Sequence, residues 1–419
     1  MLGRVTVSRL SAIVAVALCL ALPGCGGGRP GSVPLDAATL AKQPWASIVA
    51  QARGTSVVWR MWRGDLAINS YVDDWVAPRV RNLYGVEVRA VEGQGAELVN
   101  ALVTEREATG ARPGTASLVW INGDTFAQMR RENLLAGPWT DHLPNTRLVD
   151  TASPIISRDF EQDPAGFESP WGMVQFALIY DPARTPDPPR SVEMLARWIR
   201  SHPGRFTHDQ QFTGMTFLKG VMYALSGGVE TFQGGFDEGT YRAGRDRLLD
   251  WLKPLTPYFW REGTTYPLDV AAMHRLFANG EIDFTMSNNQ NEVVNKVRQG
   301  ALPQGARALV FDDGTIANAH YLGIPTTAPN AAGAMVLTDF LLSPEAQLEK
   351  LRGAVWGDGT VLKVAGLPAP WPSRFEAVSV DAAALPPDAL AQRARPEVHP
   401  LYHARLLEDW RQAVRRGTP

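Results

Sequence analysis

The 419-residue chain has 41 basic and 43 acidic residues, 45% hydrophobic residues, 13 Trp, 31 Pro and 2 Cys. A formal net charge of −2 argues against a protein that holds nucleic acid by its phosphates, and the length exceeds what one hydrophobic core usually serves, so two lobes are expected. Cys19 and Cys25 both lie near the start, which leaves the body without a cysteine for a disulfide, a thiolate metal site or a nucleophile.

In chain order, Arg4 and Arg9 precede an uncharged run over 10–22, and Leu22-Pro23-Gly24-Cys25 closes it. A basic start, a short apolar centre and a small residue before the cut describe an export signal over 1–25, with an apolar run too short to span a bilayer. Leu22-Pro23-Gly24-Cys25 also resembles a bacterial lipobox, which implies lipidation of Cys25. The expected location is periplasmic or at the cell surface, anchored to the membrane through Cys25. With Arg4 and Arg9 gone, 39 bases face 43 acids. Gly26-Gly27-Gly28-Arg29-Pro30-Gly31-Ser32 opens a stretch read as a flexible tether over 26–45.

Residues 55–62 form a β-branched and aromatic run that Gly64-Asp65 ends. Asn69 or Ser70 can cap a helix carrying Tyr71, Trp75, Val76, Val80 and Leu83, with Pro78 as a kink and Gly85 as its stop. Residues 86–91 alternate as a strand, 97–107 read as a helix, and 116–121 form an apolar strand ending in Asn122-Gly123-Asp124. Strand, helix, strand, helix, strand is the pattern of a parallel α/β sheet. If strands one and three are neighbours, with strand two outside the first, the crevice at their carboxyl ends is a ligand site. Trp62, Gly64 and Asp65 sit at one strand end and Asn122 and Asp124 at the other.

A second unit begins near Pro170 with a long extended run over 171–180, stopped by Asp181-Pro182. A helix with Val192, Leu195 and Ile199 on one face follows. Thr213, Gly214 and Thr216 then open an apolar helix closed by Gly227-Gly228. Residues 273–286 give helix, stop and strand, and Asn288, Asn289 and Gln290 follow that strand before a further helix around 292–297.

These residues resemble the extracellular solute-binding proteins of ABC importers, a family that includes maltose, thiamine, iron and polyamine binders. The likeness rests on Phe176-Ala177-Leu178-Ile179-Tyr180-Asp181 with Pro188-Pro189-Arg190-Ser191, on Leu276-Phe277-Ala278-Asn279-Gly280-Glu281, and on Phe340-Leu341-Leu342-Ser343-Pro344-Glu345-Ala346-Gln347. The chain is more closely similar to the YnjB-like branch through 118–126, Ser169-Pro170-Trp171-Gly172 and His202-Pro203-Gly204-Arg205-Phe206-Thr207. The resemblance runs from about Val57 to Leu351. It implies an α/β, two-lobed periplasmic-binding-protein (Venus flytrap, type II) fold with the solute in the cleft, a crossing near Trp171 and a return near 317–324. Lobe 1 is then expected over 46–170 and 318–352, and lobe 2 over 171–317 and 353–419.

Each candidate residue has a plainer alternative. Trp62, Trp171 and Trp260 can line a cleft or fill a core. Asp65 and Asp124 can offer negative charge to a cationic solute or cap helices. Thr213, Gly214 and Thr216 can present amides to an anion, or Thr213 can be a simple cap. Asn288, Asn289 and Gln290 offer donors and acceptors past a strand with no obvious local task, and Tyr321 follows the return crossing. The seven His show no metal-ligand spacing, so neither a metal nor a cofactor is expected.

The expectation is a monomeric, lipid-anchored receptor that captures a small solute between two lobes and delivers it to an ABC importer permease. Its partners are the solute, the permease and the membrane, with no nucleic acid. The solute is read as thiamine-like, another organic cation or a phosphate ester, with polyamine, sulfonate and sugar left open. The alternatives are a membrane-anchored extracytoplasmic hydrolase, for which no Gly-x-Ser-x-Gly elbow, P-loop or zinc signature is present, and a ligandless adaptor.

Overall fold

The computed structural model describes residues 36–109 and 113–415; the expected signal over 1–25, Cys25 and the tether residues 26–35 lie outside the described residues. Residues 36–45 belong to the fold and not to a tether. Asp36 accepts a hydrogen bond from the Thr39 amide and caps the turn Ala37–Leu40, and the helix Trp45–Ala52 follows. Ala37, Leu40, Ile48 and Ala52 are buried in the first core, and this inward apolar set holds the segment in the fold.

Among the described residues nine strands carry the architecture: β1 (Ser56–Met61), β2 (Glu87–Glu92), β3 (Leu118–Ile121), β4 (Glu168–Gln175), β5 (Ala177–Tyr180), β6 (Phe284–Ser287), β7 (Arg307–Leu309), β8 (Thr315–Gly323) and β9 (Ala394–Pro396). The first sheet runs β2-β1-β3-β8-β4, with β9 also on β8, and the second runs β6-β5-β7. In β1, Val57, Trp59 and Met61 point to the core on alternate positions, the period of a strand with one covered face. β1 lies parallel to both β2 and β3, so strands one and three are neighbours and the expected switch point exists.

β4 and β8 pair antiparallel from Glu168↔Gly323 to Gln175↔Ala317 and leave the first sheet together. The extended run over 171–180 is therefore two strands in two sheets. Phe176, whose amide bonds Ile316, marks the break between them. One face of the first sheet packs on the helix Ala331–Leu341 and a cluster of Trp59, Trp171 and Trp356; its other face packs Leu98, Ile121, Phe126 and Tyr321. The second core gathers β5, β6, the helix Phe212–Leu225 and the C-terminal Val398, Tyr402, Leu406 and Trp410. Trp356, Val361, Leu362, Leu367 and Phe375 sit in the first core, so the chain returns to the second at Ala383 and not at 353.

Two local findings differ from expectation. The helix expected to start at Asn69 or Ser70 starts at Leu66, because Asp65 Oδ1 accepts the Ala67 and Ile68 amides. A π-helical stretch, Tyr71–Val76, precedes Pro78 and gives its ring room, after which Ala77–Tyr84 ends at left-handed Gly85 (φ 68°). At the crossing, Gly172 is required by space: a Cβ there would lie 1.9 Å from His320 Nε2 and 2.1 Å from Asp358 Oδ2. Those groups belong to a buried set in which Lys350 donates to Asp358 at 2.5 Å.

Candidate functional site

β1 and β3 end at Met61 and Ile121, and β4 continues past that level to start the second lobe. β6 runs antiparallel to β5 with Ser287 opposite Ala177, so its carboxyl end points back toward the first lobe. The loops after β1, β3 and β6 therefore converge on one seam, as the strand-end argument requires.

The seam is crossed by specific bonds. Lys296, on the helix Glu292–Arg298, donates to Asp65 Oδ2 at 2.6 Å, while Asp65 Oδ1 still caps its own helix. Asn291 Nδ2 donates to the Gly357 carbonyl at 2.8 Å and Asn295 Nδ2 to the Trp356 carbonyl at 2.6 Å. Behind Lys296 a polar chain continues into the second lobe: Glu292 accepts from Ser287 and lies 3.4 Å from His274 Nε2, whose Nδ1 lies 2.8 Å from Thr285 Oγ1. Burial alone would raise the Glu292 carboxyl, but the His274 charge and hydrogen bond, Lys296 and Ser287 bring it down to about 2. Burial likewise opposes the charge on Lys296, and Glu292 and Asp65 more than offset it, so its pKa is raised.

The predicted residues divide. Asp65, Asn288, Asn289 and Gln290 stand at the seam. Asn288 Nδ2 donates to Thr213 Oγ1 at 3.0 Å, joining the loop after β6 to the start of the helix Phe212–Leu225. Asn289 Oδ1 accepts the Asn291 amide, and Gln290 Oε1 accepts the Gln175 amide on the crossing strand, so both have the local tasks that sequence did not reveal. Trp62 is half-buried with its indole folded over Gly64, where a Cβ would come within 2.6 Å of the indole nitrogen. Asn122 is half-buried and makes no cap bond with its side chain. Asp124 accepts from Gln128, and burial raises its pKa against the pull of Lys219.

Five candidates are structural. Trp171 is fully buried, 5.2 Å from Trp59 and 5.0 Å from Trp120 between ring centres, and lines no cleft. Tyr321 is buried on the other face of the sheet, with its hydroxyl donating to the Ile156 carbonyl. Gly214 is demanded by the Asp209 carbonyl, 1.9 Å from where a Cβ would stand. Thr216 is buried and donates to the Phe212 carbonyl within its helix. Trp260 donates to Glu281, before β6 and at the opposite end of that strand from the seam.

Sequence reasoning missed the acids. Asp209 precedes the helix Phe212–Leu225, and burial pushes its carboxyl up to about 6 while its Oδ2 lacks a partner among the described residues. Asp159 and Glu168 are buried on the same face as Tyr321. Burial and then Glu397 raise the first, and burial and then Asp159 raise the second. Phe160 lies between the lobes, over Gly123 and 4.8 Å from Lys219 Nζ. Glu161 accepts the Gly234 and Gly235 amides of the second lobe at 3.0 and 3.2 Å. Consecutive left-handed residues, Phe160 (φ 49°) and Glu161 (φ 62°), hold this turn. No periodicity marks residues whose partners lie far along the chain. Among the described residues no group of three or more His, Cys, Asp or Glu is placed to hold a metal, and no helix is long and apolar enough to cross a membrane.

The sequence model of the bacterial extracellular solute-binding protein family matches residues 81–377. Protein YnjB of Escherichia coli (strain K12) is 35% identical over 327 residues, covering 77% of this chain and 84% of that protein. Among solved structures, a putative spermidine/putrescine ABC transporter protein from Listeria monocytogenes is similar with a TM-score of 0.57 at 17% identity, covering 85% of this chain and 98% of that one. The periplasmic binding protein AfuA from Actinobacillus pleuropneumoniae, with fructose-6-phosphate bound, is similar with a TM-score of 0.60 at 15% identity, covering 86% and 99%. These neighbours share the two-lobed periplasmic-binding fold.

Proposed function

The chain belongs to the bacterial extracellular solute-binding protein family, and from that premise we propose that it clasps its solute where the loops after β1, β3 and β6 meet. It is a solute-binding protein of the ABC-importer type, and its relatives lend no support to the hydrolase alternative. The observation that carries the crevice is the convergence of strand ends from both sheets, with Asp65 of one lobe bonded to Lys296 of the other beside Asn288 and Asn289.

The solute we propose is a small organic cation, thiamine-like or its phosphate ester. Trp62 offers a half-buried indole. Asp124 and Asp209 offer carboxylates with no cation bonded to them among the described residues, and the helices starting at Gly123 and Phe212 point amides at the same seam. Contacts from both lobes supply the differential affinity that closure needs, roughly 5.5 kcal/mol to turn a hundredfold excess of open protein into a hundredfold excess of closed. The protein acts as a monomer held at the membrane by Cys25, and hands the closed form to its permease.

Thiamine and thiamine monophosphate, added to the purified protein, are the probes. Binding raises Tm and reduces the X-ray scattering radius. Trp62→Ala and Asn289→Ala each weaken binding about tenfold, the 1–2 kcal/mol of a desolvated cation on an indole or of a hydrogen bond to a charged group, without changing far-UV dichroism. Equal affinity in both variants and the parent removes these residues from the site. Native mass spectrometry of what co-purifies identifies the solute directly.

A further inference from the structure

The seam also holds a cavity of about 370 Å³ that no residue of the loops 62–65, 122–124 or 288–290 lines. Its walls come from both lobes: Ile155 and Glu161 from the first, Asn318 from the crossing strand β8, and Gly234 and Glu397 from the second. Glu397 is 5% exposed. Its Oε2 accepts from Lys219 at 2.6 Å, while Oε1 is closed to solvent and has no hydrogen-bond partner among the described residues. A buried carboxylate oxygen without a donor is a rare and unfavourable arrangement.

Lys219 and the Gly234 and Gly235 amides are otherwise engaged, while Gln233, Asn318 and His399 add polar side chains to the wall. Lys219 is bonded to the other oxygen of Glu397 and faces the Phe160 ring, and the Gly234 and Gly235 amides are bonded to Glu161. Arg158 is exposed and lies 4.0 Å from Asp163. Asp159 stands near Glu397, and burial, followed by that neighbour, raises its carboxyl. Pro154, Ile155, Ala317 and Pro396 form an apolar part of the wall, and the Glu161 and Glu397 carboxylates stand beside it.

We propose that this cavity is a second ligand site, separate from the strand-end crevice, which takes a small organic ammonium. Its hydrocarbon part lies on the two prolines and Ile155, and its N–H groups donate to Glu397 Oε1 beside the charge of Glu161. The walls belong to both lobes, so the site is whole only when the lobes are together. Its occupant favours the closed arrangement and, by linkage, raises the crevice's affinity for solute by the same factor that solute raises its own.

The test adds n-butylammonium at millimolar concentration to the whole protein, with n-valerate as a control of similar size and opposite charge, read by calorimetry and thermal shift. The ammonium is expected to bind and raise Tm, and the carboxylate to do neither. Glu161→Gln weakens ammonium binding about tenfold, the loss of one neighbouring negative charge, and Ile155→Trp, which fills the cavity from its rim, abolishes it. Trp62→Ala keeps it. No ammonium response in the parent, an undiminished one in both cavity variants, or loss of the response in Trp62→Ala overturns the assignment. The crevice reading fails on a different result, unchanged thiamine affinity in Trp62→Ala and Asn289→Ala.

Discussion

Lys296→Met deletes a charge that ties one lobe to the other. Its ammonium lies 2.6 Å from Asp65 Oδ2 and 3.5 Å from Glu292 Oε1, with 14% of the Lys296 side chain and 6% of the Asp65 side chain exposed. At roughly 4 Å and an effective dielectric constant near 20, each attraction is about 4 kcal/mol before desolvation, and desolvation of the groups cancels most of it. A net coupling of about 1–3 kcal/mol between Asp65 and Lys296 is expected. Because Met leaves Asp65 and Glu292 without their shared cation, Lys296→Met should weaken closure by about 2 kcal/mol, roughly thirtyfold in the ratio of closed to open protein. Asp65→Asn is the partner perturbation, since its side-chain oxygen still caps the helix Leu66–Ser70 and only the charge is lost. Denaturant unfolding of the parent, both single variants and the double variant measures the coupling, and X-ray scattering of the solute-free protein follows lobe opening. Additivity within about 0.3 kcal/mol, with an unchanged scattering radius, would refute the reasoning that this pair holds the seam.

The buried carboxyls make a prediction in pH. Asp159 and Glu168 have raised pKa values in the fold, so the stability they contribute is complete below the unfolded values near 4 and is lost as pH rises through the folded ones. Asp159→Asn removes part of that loss. Its Tm should differ little from the parent near pH 4 and exceed it by an increasing margin toward pH 8, and parallel profiles across that range would contradict the assignment of these groups. For the anchor, Cys25→Ser should move the protein from the membrane fraction to the soluble fraction of lysed cells; retention on the membrane would remove Cys25 as the point of attachment.

Much of the fold is local enough to be legible in the chain. The runs at 55–62, 86–91 and 116–121 become β1, β2 and β3 within a residue or two, Gly85 ends its helix in the left-handed conformation, and the condition set for a strand-end crevice, β1 between β2 and β3, is met. Strand period and glycine stops act over a few residues, and the direction of parallel strands then fixes where their polar ends gather. The boundary errors share a cause: 36–45 and 353–378 fold with the first lobe because their apolar residues meet its helices, a contact that no local pattern announces.

What lies over a side chain is decided elsewhere. Trp62 and Trp171 both border glycines and strand ends in sequence, yet one is half-buried at the seam and the other is enclosed by Trp59, Trp120 and Trp356, since crossing strand β4 enters beneath a cover brought from residues 353–359. Asp65 could be read as a cap or as a site residue. The structure gives it both a cap and a partner 231 residues away. The chain by itself determined which ends of which strands carry polar groups, because that follows from backbone direction and side-chain alternation. Only the tertiary structure decided which of those groups find each other, and which acids are left buried between the lobes, because burial and charge pairing depend on surfaces that distant segments bring together.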